Sequence, residues 1–287
     1  MMEELRVKVF KTISQKKIKI IIIFCLNQEK EPSMTVAIIA GASSGLGYEY
    51  AKLADQEQID EIIIIARRSE KLAELASHLR HKVKIMVLDL TASVSFAEIK
   101  KYLETSGADV KYLFNCAGFG YLGKSFDMKD EQCERMVNLN SLAAVKLTNT
   151  VIPFMSEGAR IINVSSCAGL LPLPYLSLYA ATKSFLVSYS QSLNFELKSK
   201  NITVSTVCPS WIKDTDFILE RSGNSRDQQP VLIFPTYKKT VASKSFRKAK
   251  KGKVIITPDF ISTLIRYAAA LLPTWLILKI AGIFTCG

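Results

Sequence analysis

The sequence predicts an α/β fold, a doubly wound parallel sheet of about seven strands with helices on both faces. Three observations carry that prediction. From residue 35 onward, short β-branched runs alternate with longer amphipathic stretches, the rhythm of repeated strand–helix–strand units. Runs such as the four isoleucines at 62–65 are apolar without alternation, as strands buried on both faces require. The first strand passes directly into Gly41-Ala-Ser-Ser-Gly45-Leu-Gly47, a glycine-rich turn that opens a helix near Leu46.

In chain order, strands are expected at 35–40, 61–66, 84–88, 110–115, 160–164, 203–207 and 253–256. Helices fill the intervals, the two longest near 130–155 and 175–198. Residues 210–252 break the rhythm with mixed polarity, Pro230, Pro235 and a basic run, and are expected to form a lid of loops and short helices. Residues 260–287 are strongly apolar, interrupted mainly by Arg266, Pro273 and Lys279. No repeat or low-complexity tract marks a boundary, so 34–287 reads as a single catalytic domain. Residues 1–33 read as an N-terminal extension. Met34 stands directly before the first core strand, so an upstream extension and a genuine appended arm both stay open. The apolar run 20–26, with basic residues before it, mimics a secretory signal. It falls far short of the roughly 20 residues a membrane span needs, and no small-residue cleavage pattern follows it.

The 287-residue chain is 48% apolar and 22% charged, an ordinary globular composition. Its net charge of +12 is local rather than general. Residues 238–253 hold eight Lys and Arg with no acid, and residues 1–34 hold seven basic against four acidic residues, leaving the body near neutrality. No aromatic residues interleave the basic run in a way that supports base stacking, so a solvated face is expected there and no nucleic-acid partner. The six cysteines form no CxxC pair and suit free thiols in a reducing, cytoplasmic setting. His78 and His81, the only histidines, are expected to be solvated near the end of a surface helix. They leave little material for a histidine triad or a metal site, and no metal is expected.

The chemistry-bearing residues follow from position. In the glycine turn, Gly41, Ser43, Ser44, Gly45, Leu46 and Gly47 let the backbone approach a pyrophosphate, whose charge the N–H groups at a helix start favour. A tight strand-to-helix turn alone would also use these glycines. Tyr179-Ala-Ala-Thr-Lys183 places a phenol and an ammonium at i and i+4 on one helix face. Alone such a pair is commonplace. Ser166 lies thirteen residues upstream, at the end of the strand expected at 160–164.

The GxxxGxG spacing, with Ser166, Tyr179 and Lys183, resembles the short-chain dehydrogenase/reductase family, whose fold is of the Rossmann type. The match runs from residue 35 to about 257. Several roles are implied by this resemblance alone. Ala66-Arg67-Arg68 ends the second strand where NAD-preferring members carry an acid; two guanidinium groups there favour a 2'-phosphate, hence NADP(H) over NAD(H). Asp89 resembles the adenine-contacting aspartate and is also expected to serve as a helix N-cap. Asn115-Cys116-Ala117-Gly118 looks like the family's NNAG element, with Cys116 in place of the second asparagine. Asn140 completes a tetrad; Asn138 competes for that assignment, and Asn140 is preferred for lying eight residues before Thr148. Cys208-Pro209-Ser210 through Thr215 resembles the PGxxxT segment beside the nicotinamide, with Ser210 where glycine is usual.

In the mechanism the resemblance implies, Ser166 holds the substrate oxygen while Tyr179 donates a proton. Lys183 steadies the phenolate and the nicotinamide ribose, and Asn140 fixes a water that passes protons onward. The implied activity is NADPH-dependent reduction of a ketone or aldehyde, with a lipid-like 3-oxoacyl or steroid substrate as one expectation. An alcohol dehydrogenase running in the oxidative direction is the alternative. A non-catalytic NADP-sensing protein is the other, and would be expected to have lost one of Ser166, Tyr179 or Lys183. A homodimer or homotetramer is implied through the two longest helices. The apolar C-terminal segment suits peripheral membrane contact better than a span.

Overall fold

A computed structural model describes residues 33–215, 217, 219–221 and 236–285. Seven strands form one sheet: β1 (Met34–Ala40), β2 (Glu61–Ala66), β3 (Lys82–Val87), β4 (Ala108–Asn115), β6 (Arg160–Val164), β7 (Thr203–Val207) and β9 (Ile255–Ile256). Their order is β3-β2-β1-β4-β6-β7-β9, and every pairing is parallel. The chain winds outward one way through β2 and β3 and the other way from β4 onward. The direction reverses between β1 and β4, and in open α/β sheets ligands bind outside the carboxyl ends of the strands at such a reversal.

Isoleucines 62–65 show why both faces must be covered. Ile63 and Ile65 join Ile38, Ile99, Leu103, Leu147 and Leu193 on one face. Ile62 and Ile64 join Ile39, Tyr50, Phe114 and Phe246 on the other. The first face is covered by α3 (Ser93–Ser106), α5 (Ala143–Val151) and α6 (Ser177–Glu196), and the second by α1 (Gly45–Ala54), α2 (Ser69–Ser77) and α7 (Lys238–Lys250). Two helices, α8 (Phe260–Leu271) and α9 (Thr274–Thr285), complete the chain on either side of Pro273.

The structure amends several expectations. The strand expected at 84–88 starts earlier, at Lys82, and the last strand shrinks to two residues. The long helix expected at 130–155 is divided into α4 (Asp130–Val137), a π-helical turn at Asn138–Leu142, α5, and a 3-10 turn at Ile152–Phe154 that begins one residue before Pro153. The basic run, expected as part of a loop-rich lid, is mostly the thirteen-residue helix α7. Val241, Ala242, Ser245, Phe246 and Ala249 recur at helical spacing and are buried, with Phe246 packed edge-on to Tyr112 at 5.3 Å. The lysines therefore decorate the outer face of a core helix. A small parallel ladder of β5 (Gly120–Leu122) and β8 (Leu219–Arg221) also forms, joining the segment after β4 to the segment after β7. Most of the expected lid between 222 and 235, and the extension 1–32, lie outside the described residues.

His81 is not merely solvated: its Nδ1 lies 2.9 Å from the buried Asp55 carboxylate, which also takes the Arg80 and His81 backbone N–H groups. No described helix is long and apolar enough to cross a membrane.

Candidate active site

The glycine turn leaves β1 with Gly41 at φ +78° and Gly45 at φ +57°, a region that disfavours side chains. A Cβ on Gly41 would lie 2.7 Å from the Ala117 nitrogen, and one on Gly47 would lie 2.2 Å from the Gly41 carbonyl oxygen. The close approach of strand, turn and helix thus fixes glycine at both positions. Ser44 is the N-cap of α1 but makes no side-chain cap bond, and the first turn holds no acid. An anion is the natural partner for those N–H groups. Leu46 is buried in the core beneath them.

Arg68 reaches back across this turn. Its Nη2 donates to Ser44 Oγ at 2.7 Å and Ser43 Oγ at 3.0 Å. Arg67 stays exposed, 3.9 Å from Asp89. Asp89 does not cap a helix, because α3 starts at Ser93 with Ala92 in the cap position. Its Oδ1 instead accepts the Thr91 N–H at 2.9 Å and the Thr91 hydroxyl at 2.8 Å. Burial raises its pKa, but the Thr91 bonds and Arg67 outweigh that and hold the carboxyl below its ordinary value. A dinucleotide phosphate fits this donor set of backbone N–H groups, two serine hydroxyls and two guanidinium groups.

Asn115 ends β4 and ties neighbouring elements together. Its amide donates to Asn163 Oδ1 at 2.8 Å and Thr148 Oγ1 at 3.1 Å, while Asn163 donates to Ser190 Oγ at 2.9 Å. Cys116 is held protonated by burial. Ala117 abuts the glycine turn. At Gly118 an added Cβ would meet Asn140 Oδ1 at 3.0 Å and Lys183 Nζ at 3.3 Å, so glycine here leaves room for both to converge.

Asn140, not Asn138, faces this point. It sits inside the π-helical turn, 1% exposed, and accepts the Phe119 N–H at 3.0 Å. It also donates to the Phe119 carbonyl at 2.8 Å and to Thr182 Oγ1 at 3.2 Å. Single π turns of this kind recur at functional sites, where they re-aim one side chain within a helix.

Ser166 caps the 3-10 turn Cys167–Leu170, accepting the Ala168 N–H at 3.2 Å, and its hydroxyl stands close enough to the Tyr179 phenol to lower that group's pKa. Lys183, 3% exposed, donates from Nζ to the Val164 carbonyl at 3.0 Å and lies 5.8 Å from the centre of the Tyr179 ring. Burial dominates the ionisation of both groups. It lifts the Tyr179 phenol well above its ordinary value, against the opposing Ser166 hydroxyl, and brings Lys183 down to about 8. The phenol is therefore not drawn down as expected; burial sets the direction of its shift.

After β7, the Pro209 carbonyl accepts the Cys167 N–H at 2.9 Å. Thr215 Oγ1 stands 2.7 Å from where a Cβ of Gly45 would be. Ser210 adopts no left-handed φ, so the replacement of glycine needs no strained backbone. Contacts thus run from Arg68 over the glycine turn to Ala117, Gly118, Asn140 and Lys183, with Ser166 and Tyr179 beside them. Sequence reasoning overlooked Thr182, which shares its hydroxyl between Asn140 and the Tyr179 carbonyl, and Phe217, whose ring lies 5.9 Å from the Tyr179 ring. It also overlooked Asp259, which accepts the Ser210 N–H at 3.1 Å. Among the described residues, no cluster of three or more His, Cys, Asp or Glu side chains is placed to hold a metal ion.

Comparison with known proteins follows the same lines. A model of the short chain dehydrogenase family matches residues 35–225. The very-long-chain 3-oxoacyl-CoA reductase of Mus musculus is 29% identical over 252 residues, covering 85% of this chain and 77% of that protein. The reductase of the same name from Anas platyrhynchos is 32% identical over 187 residues, covering 61% of this chain and 59% of that protein. Among solved structures, a short-chain dehydrogenase from Sphingobium yanoikuyae in complex with NADPH superposes with a TM-score of 0.68 at 26% identity, over 82% of this chain and 92% of that one. A short chain dehydrogenase/reductase from Burkholderia phymatum in complex with NAD has a TM-score of 0.71 at 22% identity, over 83% and 92%, and shares the fold.

Proposed function

Because this chain belongs to the short-chain dehydrogenase family, and is thereby an NAD(P)-dependent oxidoreductase acting on CH–OH and C=O groups, we propose that it is an NADPH-dependent carbonyl reductase of lipid-like substrates. The observation that carries this reading is the convergence of Ser166, Tyr179, Lys183 and Asn140 at the end of the sheet where the glycine turn also lies. A non-catalytic sensor has no need of all four.

The glycine turn, Ser43, Ser44, Asn115, Ala117, Gly118, Pro209 and Thr215 would hold the dinucleotide, with Lys183 and Tyr179 at its nicotinamide end. When bound, it supplies the hydride. Ser166 orients the substrate oxygen, and Tyr179, whose raised pKa keeps it protonated, delivers the proton to that oxygen as negative charge develops. Lys183 supplies a cation beside the phenol, and Asn140 pins Phe119 against it. The two arginines and the lack of an acid after β2 favour NADPH over NADH. Phe119, Tyr121, Met136 and Leu178 pack beside Tyr179, and the names of the relatives point the same way, toward a 3-oxoacyl or similarly apolar ketone.

Residues 34–287 would act as one catalytic domain, in a reducing cytoplasmic setting that suits the free thiols Cys116, Cys133, Cys167 and Cys208. Phe185 and Phe195 are exposed on α6, which suits assembly of copies through that helix. Peripheral membrane contact is a further part of the reading. Phe260, Leu264, Tyr267 and Leu271 lie outward along α8, followed by Trp275 and Leu278 on α9, with Arg266 and Lys279 as the only charges. Aromatic, apolar and basic residues are the composition of helices that lie in a bilayer interface. Flotation with anionic vesicles should carry the protein upward; a protein left wholly at the bottom would remove this part.

The activity is tested by NADPH consumption over a panel of long-chain 3-oxoacyl thioesters, steroid ketones and short aldehydes. Turnover greatest with long apolar ketones is expected. No turnover of any carbonyl, with NADPH bound, would overturn the reading in favour of a sensor.

A further inference from the structure

We propose that Asp259 is a positioning residue for the cofactor-side segment after β7. The inference rests on the reading that this segment adjoins a bound dinucleotide. Asp259 divides its two oxygens between two elements. Oδ1 accepts the Ser262 N–H at 2.8 Å and so caps α8, while the Asp259 backbone N–H donates to the Ser262 hydroxyl oxygen at 3.3 Å. Oδ2 accepts the Ser210 N–H at 3.1 Å, forty-nine residues away in sequence.

Capping alone does not require a carboxylate, since Ser, Thr and Asn cap a helix as well as Asp does. Serving both N–H groups does. An asparagine has one acceptor oxygen, and its amide N–H₂ would face the Ser210 N–H, donor against donor. The place it serves is sensitive. Ser210 Oγ is already buried without a hydrogen-bond partner, so losing the Asp259 bond would leave two polar groups of one residue unmatched. On one side of Ser210, Pro209 is joined to Cys167 next to Ser166. On the other, Thr215 closes on Gly45. Between them, Lys213 donates its N–H to Thr236 at 3.0 Å, and Asp214 accepts the Lys238 N–H at 2.8 Å. Asp259 thus anchors the end of this strap nearest Ser166, and with it the spacing between the Ser166 turn and the glycine turn.

The test uses the full chain with Asp259→Asn and Asp259→Ser, which both keep a cap for α8, and Ser262→Ala, which weakens the cap and leaves the Ser210 bond in place. NADPH affinity, followed by cofactor fluorescence, and thermal midpoint are measured for each. The two Asp259 variants are expected to lose about five- to tenfold in NADPH affinity, the net size of one ordinary hydrogen bond. Their midpoints should fall as well, because the Ser210 N–H is left unmatched, whereas Ser262→Ala should lower its midpoint through the weakened cap but keep its NADPH affinity within twofold of the parent. NADPH affinity unchanged in both Asp259 variants, or lowered equally by Ser262→Ala, would reduce Asp259 to a helix cap. If the Asp259 variants do not fold, Ser210 amide exchange in the parent decides. Protection like that of the β7 amides is expected, and free exchange overturns the proposal. A parent protein that binds neither NADPH nor NADH would instead overturn the dinucleotide reading, and this inference with it.

Discussion

The two halves of the site are built by different means. In the half around β1 and β2, identity is dictated by space: Gly41 and Gly47 are glycines because backbone atoms occupy the positions their side chains would need, and the charged groups, Arg67 above all, stand in solvent. In the half around β6 and α6, identity is dictated by chemistry: Lys183 and Asn140 are nearly sealed, and burial sets the ionisation of the first and the hydrogen bonding of the second. The difference teaches that the first half should control which dinucleotide is held and the second what is done with it. Substitutions should therefore separate cleanly into effects on affinity and effects on turnover.

Apart from removal of the Tyr179 hydroxyl, the largest expected effect comes from pH. Lys183 carries its charge only below about 8, since burial disfavours the ammonium. For NADPH-dependent reduction, kcat/KM should fall about tenfold per unit as pH rises beyond that value. A flat profile from pH 7 to 10 would show that the charge of Lys183 is not used. The same depressed pKa bears on stability. The unfolded chain keeps this proton up to its ordinary lysine pKa, so between about 8 and that value it binds more protons than the native state, and this group's contribution to stability rises with pH there.

Next comes Gly47→Ala, whose Cβ would fall 2.2 Å from the Gly41 carbonyl oxygen and force the turn to shift. Overpacking of this kind costs about 1–3 kcal/mol. Calorimetry should show a midpoint lowered by several degrees, together with weakened NADPH binding. A variant as stable as the parent would mean that the turn is looser than its contacts imply. The smallest effect is expected from Arg67→Ala or Arg68→Ala, each raising the Kd for NADPH about tenfold, the loss of one charge-assisted contact. The Kd for NADH should change less than twofold, and equal losses for both cofactors would break the assignment of the arginines to a 2'-phosphate.

The sheet was legible because it is local. Ile62 to Ile65 announce a strand buried on both faces, and a strand followed by glycines announces the turn. Helical spacing puts Tyr179 and Lys183 on one face and a strand end carries Ser166, but it is the resemblance to the family's spacing, not local geometry, that singles them out as a site. What escaped reading depends on partners distant in sequence. The β5–β8 ladder joins Gly120 to Leu219, and Asp259 meets Ser210, pairings that no periodicity signals. Two local misreadings have local causes. Eight basic residues hid the helical recurrence of Val241, Ser245 and Phe246 in α7, and Asp89 spends its carboxylate on Thr91, four residues before α3 begins at Ser93. The π turn at Asn140 lengthens one helical turn by a residue, which simple spacing does not reveal.

The division of labour between the two halves is tested most directly with Tyr179→Phe, which keeps the ring packed against Phe217 and removes only the hydroxyl on the Ser166 side of the site. Its kcat for carbonyl reduction should fall by about a thousandfold, within the range for loss of a positioned general acid, while the Kd for NADPH stays within about twofold of the parent. Turnover within tenfold of the parent, or a parallel collapse of NADPH affinity, would contradict the assignment of the proton to this phenol.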